Sequence, residues 1–165
     1  MTTLLLGWGN PDRQDDGAAW HILADVARRS GRPAPDELGE SFDFPDFPGE
    51  LDLVFQLQLT PEMAETLAGY DRVAFIDAHT GSVEHDLNLR RLSAQFQTSP
   101  LTHHLTAESC LELAQRLYGA SPEAWLVSVR GYHFGFSREL SDATAALVDQ
   151  AATMLVGWLK TGSFQ

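Results

Sequence analysis

A short apolar run, Val73 to Ile76, restricts the folds open to this chain more than any other segment. The run is bounded by Asp71 and Asp77 and contains no polar residue, so it lacks the alternation of a strand with one solvent-exposed face. Continuous apolar strands of this kind belong to parallel sheets, which carry helices on both faces. The run therefore predicts a central strand of a parallel sheet.

The rest of the sequence alternates between strand-like and helix-like segments. The predicted strands are residues 3–8, 51–59, 73–76, 87–92 and 124–129, and alternation of apolar and polar residues along 87–92 predicts an edge strand. The predicted helices are residues 16–29, 60–67, 107–118 and a long final helix capped by Ser141. We therefore predict a single α/β domain over residues 1–165. Its architecture is a three-layer sandwich, in which a mostly parallel, twisted sheet has helices on both faces.

Composition excludes several classes of partner. The chain has 165 residues, of which 11 are basic and 23 acidic, giving a net charge of −12. Nucleic acids and anionic lipids are bound by clustered Lys and Arg, so we expect neither nucleic acid nor a membrane as a partner.

No apolar run approaches the ~18 residues of a membrane span. The residues before the first strand show neither the basic n-region nor the small-residue cleavage site of a signal peptide, and the lone Cys110 cannot form an internal disulfide. We therefore expect a cytoplasmic protein.

Three polar residues fall where an α/β sheet places its sites, which is at the carboxyl ends of strands near a reversal of strand order. Asp16 follows the first predicted strand, Asp77 ends the central run, and His103 precedes the third predicted helix. Two carboxylates and an imidazole can hold a divalent metal such as zinc or nickel, or orient a water and transfer a proton. Each also has a structural explanation: Asp15 or Asp16 as a helix N-cap, Asp77 as an acceptor for loop amides, and His103, beside His104, as an ordinary surface residue.

Other chemistries fit this sequence less well. Gly7-Trp8-Gly9 begins like a dinucleotide fingerprint, but the third glycine position is Asp12, whose charge would repel a pyrophosphate. The turn lacks the Gly-Lys-Ser/Thr of a P-loop, and the chain has no Gly-x-Ser-x-Gly nucleophile motif. Cys110 lies within a predicted helix, so we expect a small core residue rather than a nucleophile.

Segments in the same order along the chain resemble the hydrogenase maturation endopeptidases, which process the C-terminus of nickel–iron hydrogenase large subunits. The opening, Leu4 to Asn10 and then Asp15-Asp16-Gly17, is similar to the family's strand, Gly-x-Gly-Asn and Asp-Asp/Glu-Gly. The further matches are Phe75-Ile76-Asp77-Ala78, Thr102-His103-His104-Leu105 and residues 127–136. Together they extend over nearly the whole chain.

The resemblance implies an endopeptidase that removes the C-terminal extension of a large-subunit precursor after nickel insertion. In the family, the residues at the positions of Asp16, Asp77 and His103 recognise nickel bound in the substrate. Asp16 or Asp77 would act as general base on a water nucleophile, and Asn10 would support the turn or contact the substrate. The implied metal is only the nickel carried by the substrate, with no tightly held cofactor in the protease. We expect a monomer or weak oligomer whose partner is the precursor.

His103 is preferred to His104 because the residues around it, Thr102 and Leu105, fit the family pattern. The chain also departs from that pattern, which indicates a divergent branch. Asp16 stands where the family often has Glu, Ala19 replaces a second glycine, and Gly81-Ser82 replaces a Pro-Gly pair.

Two other functions remain open. One is a non-catalytic, metal-dependent chaperone of the large subunit on the same fold, which would use the same three residues. The other is a flavin- or nucleotide-binding module, which the acidic first turn disfavours.

Overall fold

The computed structural model describes residues 1–35, 42–97 and 105–165 of the chain. The strands are β1 (Thr3–Trp8), β2 (Asp52–Gln56), β3 (Arg72–His79), β4 (Leu87–Arg91) and β5 (Glu123–Arg130). The helices are α1 (Ala18–Arg29), α2 (Met63–Leu67), α3 (Ala107–Tyr118) and α4 (Asp142–Thr161). A short 3-10 helix, Gln14–Gly17, precedes α1. Each predicted strand and helix therefore has a counterpart, although several boundaries differ.

The five strands form one sheet in the order β2-β1-β3-β5-β4. β1, β2, β3 and β5 pair in parallel, whereas β4 runs antiparallel to β5 at the edge. The chain places β2 on one side of β1 and then β3 on the other, so the strand order reverses between β1 and β3. The mostly parallel sheet and the edge position of residues 87–92 are thus confirmed.

Helices cover both faces of the sheet, as predicted. On one face, α1 packs against α4 over a core that includes Ile76 and the almost fully buried Trp158. On the other face, α2 packs against α3 over a core that includes Phe75 and Cys110. Cys110 has no exposed surface, which confirms its expected place in the core. Because neighbouring residues of β3 enter opposite cores, every position of the run 73–76 is apolar.

Two helices begin at side-chain caps, and the cap at Ser141 is the one predicted above from the sequence. The Ser109 N–H donates to Thr106 Oγ1 over 3.2 Å, and the Thr144 N–H donates to Ser141 Oγ over 3.3 Å. In contrast, α1 begins at Ala18 without a side-chain cap, so the capping interpretation of the two aspartates before it is wrong. In the part of the chain that the structure describes, no helix has both the length and the apolar character needed to cross a membrane.

β3 is longer than the apolar run that predicted it. Residues 77–79 continue the parallel pairing with Ser128, Val129 and Arg130 of β5, so the strand ends at His79. Asp77 therefore projects from a strand inside the sheet, and the predicted end of this strand at residue 76 is wrong. α2 is shorter than predicted, because residues 61–62 form a turn and the helix begins at Met63.

Candidate active site

An open cleft lies at the carboxyl ends of β1 and β3, where the strand order reverses. Its volume is about 310 Å³, and its walls are formed by Trp8, Gly9, Asp16, Leu57, Gln58, Leu59, Asp77, Ala78 and Leu105. Among the described residues that line it, Asp16 and Asp77 are the only acids. Ligand sites of open α/β sheets form at this place, so the cleft is the candidate active site.

The turn after β1 fixes the carboxylate of Asp16 at the cleft. The Asn10 N–H donates to Asp16 Oδ2 over 2.8 Å. Gly9 has a φ of +143°, a conformation that glycine adopts readily and other residues rarely. A Cβ at Gly9 would also collide with the carbonyl oxygen of Asp16. The second glycine of the opening motif is therefore required for the close approach of Asp16 to the end of β1.

Asp77 also lines the cleft, where it is half-buried. Burial raises the pKa of its carboxyl, the Ala78 N–H lowers it, and the negative charge of Asp16 raises it further, for a net pKa of about 7. The influence of Asp16 means that the two carboxylates are close enough to interact electrostatically. A carboxyl with a pKa near neutrality can gain and lose a proton at physiological pH.

Asn10 supports the turn that carries Asp16. Its side-chain Oδ1 accepts the Asp12 N–H over 3.0 Å, and its carbonyl accepts the Arg13 N–H over 3.0 Å. Of the two roles expected for Asn10, the structure shows turn support, and contact with a substrate stays a prediction.

Asp15 differs from its neighbour Asp16, since it is 0% exposed and faces away from the cleft residues. It accepts four hydrogen bonds of 2.7–2.9 Å from the N–H groups of Tyr132, His133 and Ser141 and from the Ser141 hydroxyl. Burial would raise the pKa of Asp15, but these hydrogen bonds outweigh it and lower the pKa to about 2. Asp15 therefore joins the turn after β1 to the loop after β5, a role that the sequence did not indicate.

The third predicted ligand, His103, lies outside the described residues, as does His104. Leu105, two residues after His103, lines the cleft. Within the described ranges, no group of three or more His, Cys, Asp or Glu side chains could hold a metal ion. Asp16 and Asp77 supply two carboxylates, a donor set that suits a divalent cation when further ligands complete it.

Comparison with solved structures places this arrangement among known folds. The hydrogenase maturating endopeptidase HybD from E. coli has a TM-score of 0.66 at 17% identity, covering 100% of this chain and 96% of that one. This chain has the fold of the hydrogenase maturation endopeptidases. The protease HycI from Thermococcus kodakarensis KOD1 has a TM-score of 0.66 at 16% identity, covering 97% and 93% of the two chains. A hydrogenase 2 maturation peptidase from Thaumarchaeota archaeon SCGC_AB-539-E09 has a TM-score of 0.61 at 22% identity, covering 97% and 99%.

In sequence, no family model and no curated protein matches the chain. The maturation-endopeptidase fold confirms the predicted fold class and the resemblance seen in the sequence motifs. At these identities the similarity establishes the fold, so the chemistry has to be argued from the cleft itself. The structure brings Asp16 and Asp77 together, with Asn10 beside Asp16. The sequence did not predict that Trp8 and residues 57–59 line the cleft. Only the strand order shows that the ends of β1 and β2 lie side by side there.

Proposed function

We propose that this protein is an endopeptidase that removes the C-terminal extension of a nickel–iron hydrogenase large-subunit precursor once nickel has been inserted. The observation that carries the proposal is the pair of carboxylates, Asp16 and Asp77, that line one cleft at the strand-order reversal of a maturation-endopeptidase fold. The nickel belongs to the substrate. We expect the protease itself to hold no cofactor tightly.

The acid pair suits recognition of a cation carried by the precursor. Burial and the charge of Asp16 both disfavour ionisation of Asp77, and a cation between the two carboxylates would relieve that cost. His103 is proposed as the third group that contacts the metal. A precursor without nickel would offer none of these contacts, so the substrate metal would act as a checkpoint for cleavage.

Asp77 is proposed as the general base. In the protease alone its pKa is about 7, and in the complex a carboxylate oxygen that the metal leaves free would accept the proton of the attacking water. A water molecule attacks the scissile carbonyl carbon and gives a proton to Asp77. That proton then passes to the leaving amide nitrogen as the C–N bond breaks. Asp16, held by the Asn10 N–H, would contact the metal, and the side-chain amide of Asn10 is proposed to contact the substrate.

A cleavage assay tests the proposed function. The purified protein is mixed with a candidate large-subunit precursor, with and without inserted nickel, and the precursor is analysed by intact mass. Loss of a C-terminal peptide from the nickel-loaded form alone is the expected result. Equal cleavage of both forms would contradict the checkpoint. A nickel-dependent complex without cleavage would contradict the protease and support the chaperone alternative.

The variant Asp16→Asn tests the acid pair. We expect it to abolish cleavage while the free energy of unfolding stays almost unchanged, because the Asn side-chain oxygen can still accept the Asn10 N–H. Asp46→Asn, at an exposed position before β2, is the matched control and should cleave normally. A fully active Asp16→Asn protein would exclude the assigned role.

A further inference from the structure

We propose that Phe136 is a docking anchor that inserts into the precursor protein beside the scissile segment, and that Gln14 holds this anchor in position. The inference rests on the proposed function, since it takes the precursor as the partner. Phe136 is 98% exposed, more than any other large apolar side chain among the described residues. Aromatic side chains, Phe among them, are enriched at the cores of protein interfaces relative to the rest of the protein surface.

The position of Phe136 favours contact with a substrate that enters the cleft. The residue lies in the loop between β5 and α4. Because β1, β3 and β5 are parallel, this loop emerges at the same edge of the sheet as Asp16 and Asp77. A folded protein that presents a peptide bond to the two carboxylates has to cover this edge. Phe136 would therefore lie inside the area of contact.

The backbone on both sides of Phe136 is fixed by the turn after β1. The Gly135 N–H donates to Gln14 Oε1 over 2.9 Å. On the other side, the Ser137 N–H donates to the Asp12 carbonyl over 3.1 Å, and the Gln14 N–H donates to the Ser137 carbonyl over 2.8 Å. The loop is thus held while its aromatic ring projects into solvent. Docking onto a preformed anchor loses little conformational entropy.

Gln14 adopts an unfavourable backbone conformation to make these contacts. It has a φ of +50°, and among the described residues it is the only non-glycine residue with a positive φ. The left-handed region is disfavoured for residues with a Cβ, and it persists where surrounding contacts determine it, often at functional sites. Both the N–H and the side chain of Gln14 bind the segment around Phe136. The strained residue is therefore tied to presentation of the anchor.

Charge favours the precursor over a second copy of this chain as the occupant. Each copy carries a net charge of −12, and association of two such surfaces is opposed by repulsion. We expect an apolar pocket on the precursor that receives the ring. The chain also supplies a matched control. Phe47 is 84% exposed, but it precedes β2 and so lies at the opposite edge of the sheet from the cleft.

The test compares the cleavage kinetics of Phe136→Ala, Phe47→Ala and the wild type with the nickel-loaded precursor, after thermal unfolding has shown that all three fold alike. We expect Phe136→Ala to raise KM at least tenfold with kcat unchanged, because it removes binding rather than chemistry. Phe136→Leu should recover part of the loss, and Phe47→Ala should match the wild type.

Each other outcome contradicts a stated part of the inference. If the wild type cleaves and Phe136→Ala has the same KM, the docking role of Phe136 is wrong while the proposed function stands. If the wild type neither binds nor cleaves the precursor, the docking role and the proposed function are both wrong. If Phe136→Ala converts a dimer into a monomer in size-exclusion chromatography, the occupant is a second copy and the proposal fails.

Gln14→Ala should raise KM in the wild-type background and add nothing in the Phe136→Ala background. Additive effects would show that Gln14 does not act through Phe136.

Discussion

Replacing Asp77 by Asn should make the protein more stable at pH 8, although it removes a group proposed to be catalytic. In the folded protein the carboxyl of Asp77 has a pKa of about 7, compared with 3.8 for an unperturbed Asp. Between these values the folded protein holds a proton that the unfolded chain has released. The free energy of unfolding therefore falls as the pH rises through this window, and it stays reduced above pH 7.

The magnitude follows from the size of the pKa shift. One pKa unit corresponds to about 1.36 kcal/mol, so a rise from 3.8 to about 7 gives an upper limit of about 4 kcal/mol at pH 8. Asp77 borders an open cleft, and solvent there weakens the effect, so we expect a gain of about 2 kcal/mol from Asp77→Asn. That gain corresponds to a Tm rise of about 4–8 °C for a chain of this size. At about pH 5.5 only part of the window has been crossed, and the gain should be about half as large.

Urea unfolding followed by tryptophan fluorescence at pH 5.5 and pH 8 measures both values. The exposed variant Asp46→Asn serves as the control, and it should change the free energy of unfolding by less than about 0.5 kcal/mol at either pH. If Asp77→Asn is equally stable or less stable than the wild type at pH 8, the carboxyl is not held at a raised pKa. The assignment of Asp77 as a base poised near neutrality would then be wrong.

Three further predictions test the hydrogen bonding and packing of the fold. Asp15→Asn should lower the free energy of unfolding by about 2–3 kcal/mol, because four donors would lose a charged acceptor. The wild type should also lose stability as the pH falls through about 4 toward 2, since the pKa of Asp15 is lowered to about 2 in the folded protein. Gly17→Ala should lower the free energy of unfolding, measured in urea, by about 1–3 kcal/mol, because the added Cβ would lie 2.7 Å from Pro11 Cα. The control is Gly157→Ala in α4, where a Cβ would have no neighbouring atom within 4 Å, so it should be neutral or stabilising. Cys110 should resist thiol reagents in the native protein and react after unfolding, because burial raises its pKa to about 12.

The sheet and its layers could be predicted because their signals are local. The run 73–76 is apolar at every position because its residues enter two cores, and four consecutive residues of the sequence are enough to indicate this. The caps at Thr106 and Ser141 likewise act within three residues of themselves. The end of β3 could not be predicted from a local signal of this kind. Residues 77–79 extend the strand because they pair with β5, and that pairing depends on strand order.

The cleft was only partly predictable for the same reason. The rule that sites form at strand ends located Asp16 and Asp77 from their positions after apolar runs. The wall formed by residues 57–59 and the exposed Phe136 belong to other strand ends, and their place relative to the acids follows from the sheet order alone. Phe136 also lies in a glycine-aromatic loop whose sequence does not distinguish an exposed ring from a buried one.

The neighbouring acids Asp15 and Asp16 show why residue type alone does not assign a role. In a 3-10 helix successive side chains point about 120° apart, so Asp15 turns toward the loop after β5 while Asp16 turns toward the cleft. Four donors hold Asp15 as a permanent carboxylate, which cannot exchange a proton near neutral pH. Asp16 accepts one backbone N–H, and its negative charge raises the pKa of Asp77 in the same cleft. The 3-10 helix therefore separates a buried structural charge from a carboxylate that lines the cleft within two residues, and a change that unwinds it would disturb the fold and the cleft together.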